Sequence, residues 1–254
     1  ARVIPVQPLY QQKKDQNGVP QPVDYRKAYG LKMEKIGTHT LDVAGENTQV
    51  RYLRGKDEKG QETFLIEEMP QEGKYKYTNT IYDYNKFGNH SWEEFFAFFA
   101  KSALELLRRV EQERKQVEGQ EWRPAVVWGN DAQTAGVMAL LTQEKEEAAE
   151  GAALKDVFLV FTTHTFGNRQ SFGLQDMQRT LGNLLGLKRK WWSAAVRFNI
   201  MDMTSLAIRL VDGTGGQVHT VSRKHKIVLD RDKYDPYAKT TAITNGDELS
   251  RVWN

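Results

Sequence analysis

The run DVFLVFTTH (156–164) places seven apolar or β-branched residues in succession and ends at a histidine. A strand that is apolar at every position has both faces buried, whereas a strand on a half-solvated sheet alternates. PAVVWG (124–129) and QVHTVS (217–222) read the same way, and helical patterns separate the three. DAQTAGVMALLTQEKEE (131–147) is one, and LGLKRKWWSAAVRFN with DMTSLAIRLVDG supplies the others. Strand, helix, strand, helix, strand imposes right-handed crossovers and a parallel sheet with helices on either side. The expected class is therefore α/β, a largely parallel Rossmann-like sheet flanked by helices.

The first third of the chain is patterned differently. RVIPVQPLY (2–10) reads as a buried strand closed by Pro8, and the polar segment 11–30 as an exposed loop. THTLDVAG, TQVRYLRG and ETFLIEEMP, within 38–69, are short alternating runs, and KDEKGQ supplies a turn between the last two. A small β-hairpin excursion is expected there. The period then changes. In SWEEFFAFFAKSALELLRRVEQERK (91–115), Ser91 and Glu94 have capping-box spacing. Phe95, Phe98, Phe99, Ala103, Leu106, Leu107 and Val110 fall on one helical face. KEEAAEG (145–151) looks like a loop or helix end rather than a linker, so residues 1–254 are read as one domain.

Composition narrows the chemistry. The 254 residues are 39% hydrophobic and 27% charged, with a net charge of +3, as in ordinary globular proteins. With no cysteine, thiolate metal sites, disulfides and a cysteine nucleophile are excluded. That composition fits a reducing compartment, and the expected location is the cytoplasm. No run approaches the eighteen or so apolar residues of a membrane helix. LKRKWW (187–192) and SRKHK (222–226) are short basic clusters, read as solvated faces rather than a nucleic-acid stripe. No membrane and no nucleic-acid partner is expected. No His and carboxylate pair has metal-ligand spacing, and GxSxG and P-loop sequences are missing.

Open parallel sheets bind ligands outside the carboxyl ends of their strands. The residues just past those ends are Asn130 and Asp131, His164 and Thr165, Ser222, and Asn245 before Gly246 and Asp247. One rim would gather them. Each also has a structural reading. Asp131 and Ser222 are good helix N-caps, Asn245-Gly246 is a common turn pair, and His164 could be a satisfied core histidine. His219 is expected buried and hydrogen-bonded within its strand, and His39, His90 and His225 at the surface.

The ordered motifs resemble the N-terminal half of glycogen and starch synthases, retaining glycosyltransferases of the two-domain GT-B architecture. ARVIPVQPLY is similar to the family's second strand, VRVIMPxY. TIYDYNKFGNHSWEEFFAFFAKSALELL resembles YxDYxDNAERFAFFSRAALELL, and WRPAVVWGNDAQTAGVMALL resembles WRPDVVHAHDWQTALxPAYL. VFLVFTTHTFGNRQSF, VHTVSRKHK and ITNGDELSRVWN are similar to VFTIHNLAYQGxF, ITTVSPTYA and VLNGIDTDxWN. The likeness covers most of the chain and keeps motif order.

The resemblance implies a sugar-nucleotide donor, usually ADP-glucose, an α-1,4-glucan acceptor, retention of anomeric configuration, and no metal or other cofactor. Matched position by position, His164 corresponds to the donor-contacting histidine that stabilises an oxocarbenium-like transition state. Asp131 corresponds to the aspartate near the reacting sugar. Asn245, Thr165, Asn130 and Gln133 fall at substrate-binding positions. The family's first strand with its glycine-rich KTGGLADV loop, and its C-terminal nucleotide-binding domain, have no counterpart here. Asn130, Ala132 and Phe95 replace the usual histidine, tryptophan and arginine, and 183–203 stands where the family has a shorter helical region. Two readings follow: a fragment of a synthase, inactive without its flanks and its partner domain, or a catalytically silent glucan-binding or scaffolding module.

Overall fold

Alternating side chains in the first third build a sheet, and the long apolar stripe that follows builds the helix covering it. The computed structural model describes residues 3–14, 20–22, 30–71, 76–78, 92–118, 124–149, 152, 154–164, 171–221 and 240–242. Two compact units emerge, Ala1–Glu113 and Arg114–Asn254.

In the first unit, β4 (Lys32–Val43), β5 (Glu46–Lys56) and β6 (Glu62–Glu68) pair antiparallel in sequence order, and β1 (Val6–Pro8) adds parallel to β6. The short strands β2 (Gln12–Lys14) and β3 (Pro20–Pro22) form a separate ribbon. The expected excursion is thus a four-stranded sheet, in the order β1-β6-β5-β4. A two-residue turn joins β4 to β5, with Ala44 and Gly45 both at positive φ and the Gly45 N–H bonded to Asp42 Oδ1 at 3.0 Å. That turn type matches the twist of an antiparallel pair.

Helix α1 (Trp92–Glu118) carries Glu93 and Glu94 in its first turn, where they complement the helix dipole. Phe95, Phe98, Phe99, Ala103, Leu106 and Val110 are buried and Leu107 is half-buried, but Phe96, Ala97, Ala100 and Leu104 are buried as well, so the first turns are covered beyond the expected face. Ser91 lies outside the described residues. Phe98 stacks on Tyr77 at 4.8 Å, and Lys101 Nζ donates to Asp42 O at 2.8 Å. On β5, Val50 and Tyr52 are fully buried on one face. Leu9, Leu53 and Leu65 form a second, smaller cluster with Leu31 and Met33.

The second unit holds the parallel sheet. β7 (Val126–Asn130), β8 (Phe158–Thr163), β12 (Gln217–Thr220) and β13 (Thr240–Ala242) lie side by side in that order, every pair parallel. α2 (Ala135–Glu147) follows β7, and α3 (Met203–Gly213) precedes β12. Ala135 to Thr142 of α2 are all buried. Gly216 is required where α3 turns into β12, because a Cβ there would stand 2.4 Å from the Leu159 carbonyl oxygen. The apolar run of β8 is buried from Leu159 onward, as a central parallel strand should be. β7 departs from that expectation. It pairs only with β8 among the described residues, and Val126 and Trp128 are about half exposed.

Residues 185–199 also depart from the expected helix. A π-helical turn spans Gln178–Leu184 and a 3₁₀ segment Arg189–Ala195. Between them Gly186 at φ 75° breaks the helical path. β9 (Ser171–Gly173), β10 (Val196–Arg197) and β11 (Ile200–Asp202) then make a small antiparallel sheet in the order β10-β11-β9. The basic run 187–192 is tied down: Lys188 pairs with Glu147 at 2.7 Å and Lys190 with Glu146. Its charges neutralise the end of α2.

Candidate functional site

In-register parallel pairing brings the carboxyl ends of β7, β8, β12 and β13 to one edge of the sheet. At that rim Asp131 leaves β7. Its N–H continues the ladder to Thr162 O at 2.7 Å, and its backbone then turns to φ 61°, ψ 176°. That region is essentially reserved for glycine and costs an L-residue about 1–3 kcal/mol. Surrounding bonds hold it there: the Asp131 carbonyl accepts from Thr134 N and Thr134 Oγ1, each at 3.0 Å.

The consequence is in the side chain. Asp131 makes no side-chain cap bond to the following turn. Its Oδ1 instead accepts from the backbone N–H of His164 at 3.2 Å. The helix-cap explanation for Asp131 therefore fails, and the aspartate and the histidine, 33 residues apart, are joined tip to tip. Gly129 permits the tight exit from β7, since a Cβ there would stand 2.8 Å from Thr134 Oγ1 and 3.0 Å from Met138 Cε.

Around the pair, Asn130 is exposed, and Gln133, His164 and Asp131 are half-buried. His164 is not a core residue. Thr165, Ser222 and Asn245, with His90 and His225, lie outside the described residues. Sequence reasoning missed Trp128, on the same strand face as Asn130: its Nε1 donates to Thr162 Oγ1 at 2.8 Å, and its ring meets His219 edge-on at 6.2 Å. The one signal was an aromatic residue two places before the strand tip. His219 itself is only partly buried, with Nε2 3.3 Å from Gln217 Oε1 and Nδ1 unpartnered. Desolvation pushes its imidazole below the ordinary value. His39, in the first unit, contacts Arg109 at 3.0 Å and Glu105 at 3.4 Å.

Chemically the rim offers an imidazole, a carboxylate and amides on rigid strand ends. Such a set orients a neutral polyhydroxylated ligand and stabilises positive charge that develops on it. Among the described residues no group of three His, Asp or Glu side chains could hold a metal ion, and no helix is long and apolar enough to cross a membrane.

Residues 2–233 match the family described as the starch synthase catalytic domain. The chain belongs to that family. No curated protein matches it. Among solved structures, the catalytic domain of starch synthase IV from Arabidopsis thaliana, bound to ADP and acarbose, superposes with a TM-score of 0.57 at 17% identity. The superposition covers 87% of this chain and 42% of the other, so the chain spans less than half the length of that solved catalytic domain. The shared fold is the parallel sheet flanked by helices, which matches part of a GT-B starch synthase catalytic domain.

Proposed function

We propose that the protein is a retaining glucosyltransferase that passes glucose from ADP-glucose to the end of an α-1,4-glucan, with this chain as the acceptor-side domain. Family membership supports a glycosyltransferase, and the Asp131–His164 junction carries the reading further. A backbone held at Asp131 in a conformation reserved for glycine is a form of strain that clusters at active sites. Here it delivers a carboxylate to the strand tip that bears the imidazole.

In this reading His164 contacts the donor glucose and stabilises the oxocarbenium-like transition state through its dipole. Asp131 fixes the backbone at that histidine and adds negative potential beside the developing cation. Asn130, Gln133, Thr165 and Asn245 bind sugar hydroxyls. No protein nucleophile and no metal or other cofactor is needed. Alone, the chain should transfer little or no glucose, because the groups that bind the nucleotide phosphates would come from a partner GT-B domain.

A second reading has its own observation. Asn130 and Ala132 stand where the family has histidine and tryptophan, which suits a silent glucan-binding module. Incorporation of labelled glucose into glycogen by the full-length protein separates the two. Transfer from ADP-glucose supports the enzyme; glucan binding without transfer from any sugar nucleotide supports the module.

A further inference from the structure

The turn between β10 and β11 is another strained point, far from β7 in sequence. Arg197 pairs with Ile200 across it, leaving Phe198 and Asn199 as a two-residue connection. Both have positive φ, 47° and 59°. A turn of this kind normally takes Asn-Gly or Gly-Gly, and a bulky residue at its first position is an outlier. Phe198 is nonetheless 75% exposed, so no burial offsets the strain.

The ring is held rather than loose. The Arg197 guanidinium carbon lies 4.6 Å from its centroid, and Arg197 is itself buried, 3.9 Å from the Asp202 carboxylate that caps α3. Ile200 and Leu174 are also exposed, each by more than a third, and Ile200 faces Gly173 across the pair. Asn199 and Gln175, next in sequence to these side chains, are exposed too, and the Gln175 amide lies beside Gly173, the residue paired with Ile200.

We propose that Phe198 is a stacking platform for a glucose unit of the acceptor glucan, with the Asn199 and Gln175 amides taking sugar hydroxyls. The three apolar side chains fall far short of the roughly 800 Å² per partner of a stable protein interface. A pinned aromatic face with neutral amides beside it suits a neutral ring that has an apolar face and a hydroxylated rim. The patch is also tethered to the rim. Ser171 of β9 follows His164 by seven residues, a reach of at most about 25 Å. The assignment rests on the glucan-acceptor reading above and adds a named residue to it.

Affinity electrophoresis of the full-length protein through gels containing amylopectin or glycogen tests it, with Phe198→Gly and Phe198→Trp. Glycine suits the positive φ, so Phe198→Gly should fold at least as stably as wild type by thermal melt. Its affinity for the glucan should fall at least about ten-fold, as truncation of a contributing aromatic contact does, while Phe198→Trp retains binding. Wild type and Phe198→Gly retarded equally would overturn the platform and leave the acceptor reading standing. A folded wild type that no α-glucan retards would overturn both.

Discussion

Asp131 is where local strain and long-range contact meet, so substitutions there separate the two. Asp131→Gly removes the conformational penalty and Asp131→Ala keeps it, yet both lose the acceptor for the His164 N–H. The glycine variant should therefore be more stable than the alanine variant by about 1 kcal/mol in urea titrations, with both inactive in glucosyl transfer. Asp131→Asn retains a carbonyl acceptor. If positioning of His164 dominates, that variant should keep more transfer than Asp131→Ala; if charge dominates, the two should be equally poor. His219 gives a pH signature. Burial holds its folded-state value below the ordinary 6.5, so below about pH 6.5 the unfolded chain binds the proton more readily. Stability should then fall as the pH drops through that range, and His219→Gln should flatten the dependence in denaturation curves.

At the scale of elements, two close contacts set what each unit tolerates. Glu68 closes β6 with a buried carboxylate that accepts the N–H groups of Lys76, Tyr77 and Thr78 at 2.6, 2.7 and 2.9 Å. Glu68→Ala orphans all three donors and should destabilise the first unit by about 3 kcal/mol, read from thermal or denaturant unfolding. Gly129→Ala pushes a methyl group against Thr134 and Met138 and should cost about 1–3 kcal/mol. The alternation of 38–69 and the helical stripe of 91–115 were legible because period-2 and period-3.6 burial leave different marks. The parallel strands were legible as apolar runs. The β9–β11–β10 sheet was not, because strands of two or three residues are too short to show a period. The exposure of β7 was hidden too, since an apolar run does not reveal that its strand pairs on one side only among the described residues.

For the molecule as a whole, the rim was readable from sequence only as a set of strand ends. That Asp131 binds the His164 backbone instead of capping its own helix depends on a dihedral angle no pattern encodes. Family membership follows from residues 2–233. The most direct measurement is glucosyl incorporation from ADP-glucose into glycogen by the full-length protein, beside its His164→Ala and Asp131→Ala variants. Loss of one preorganised group at the reacting centre should lower the rate at least about 100-fold in either variant, with the melting temperature of His164→Ala nearly unchanged. Undiminished incorporation in both variants, or none by a folded wild type from any sugar nucleotide, would contradict the assignment.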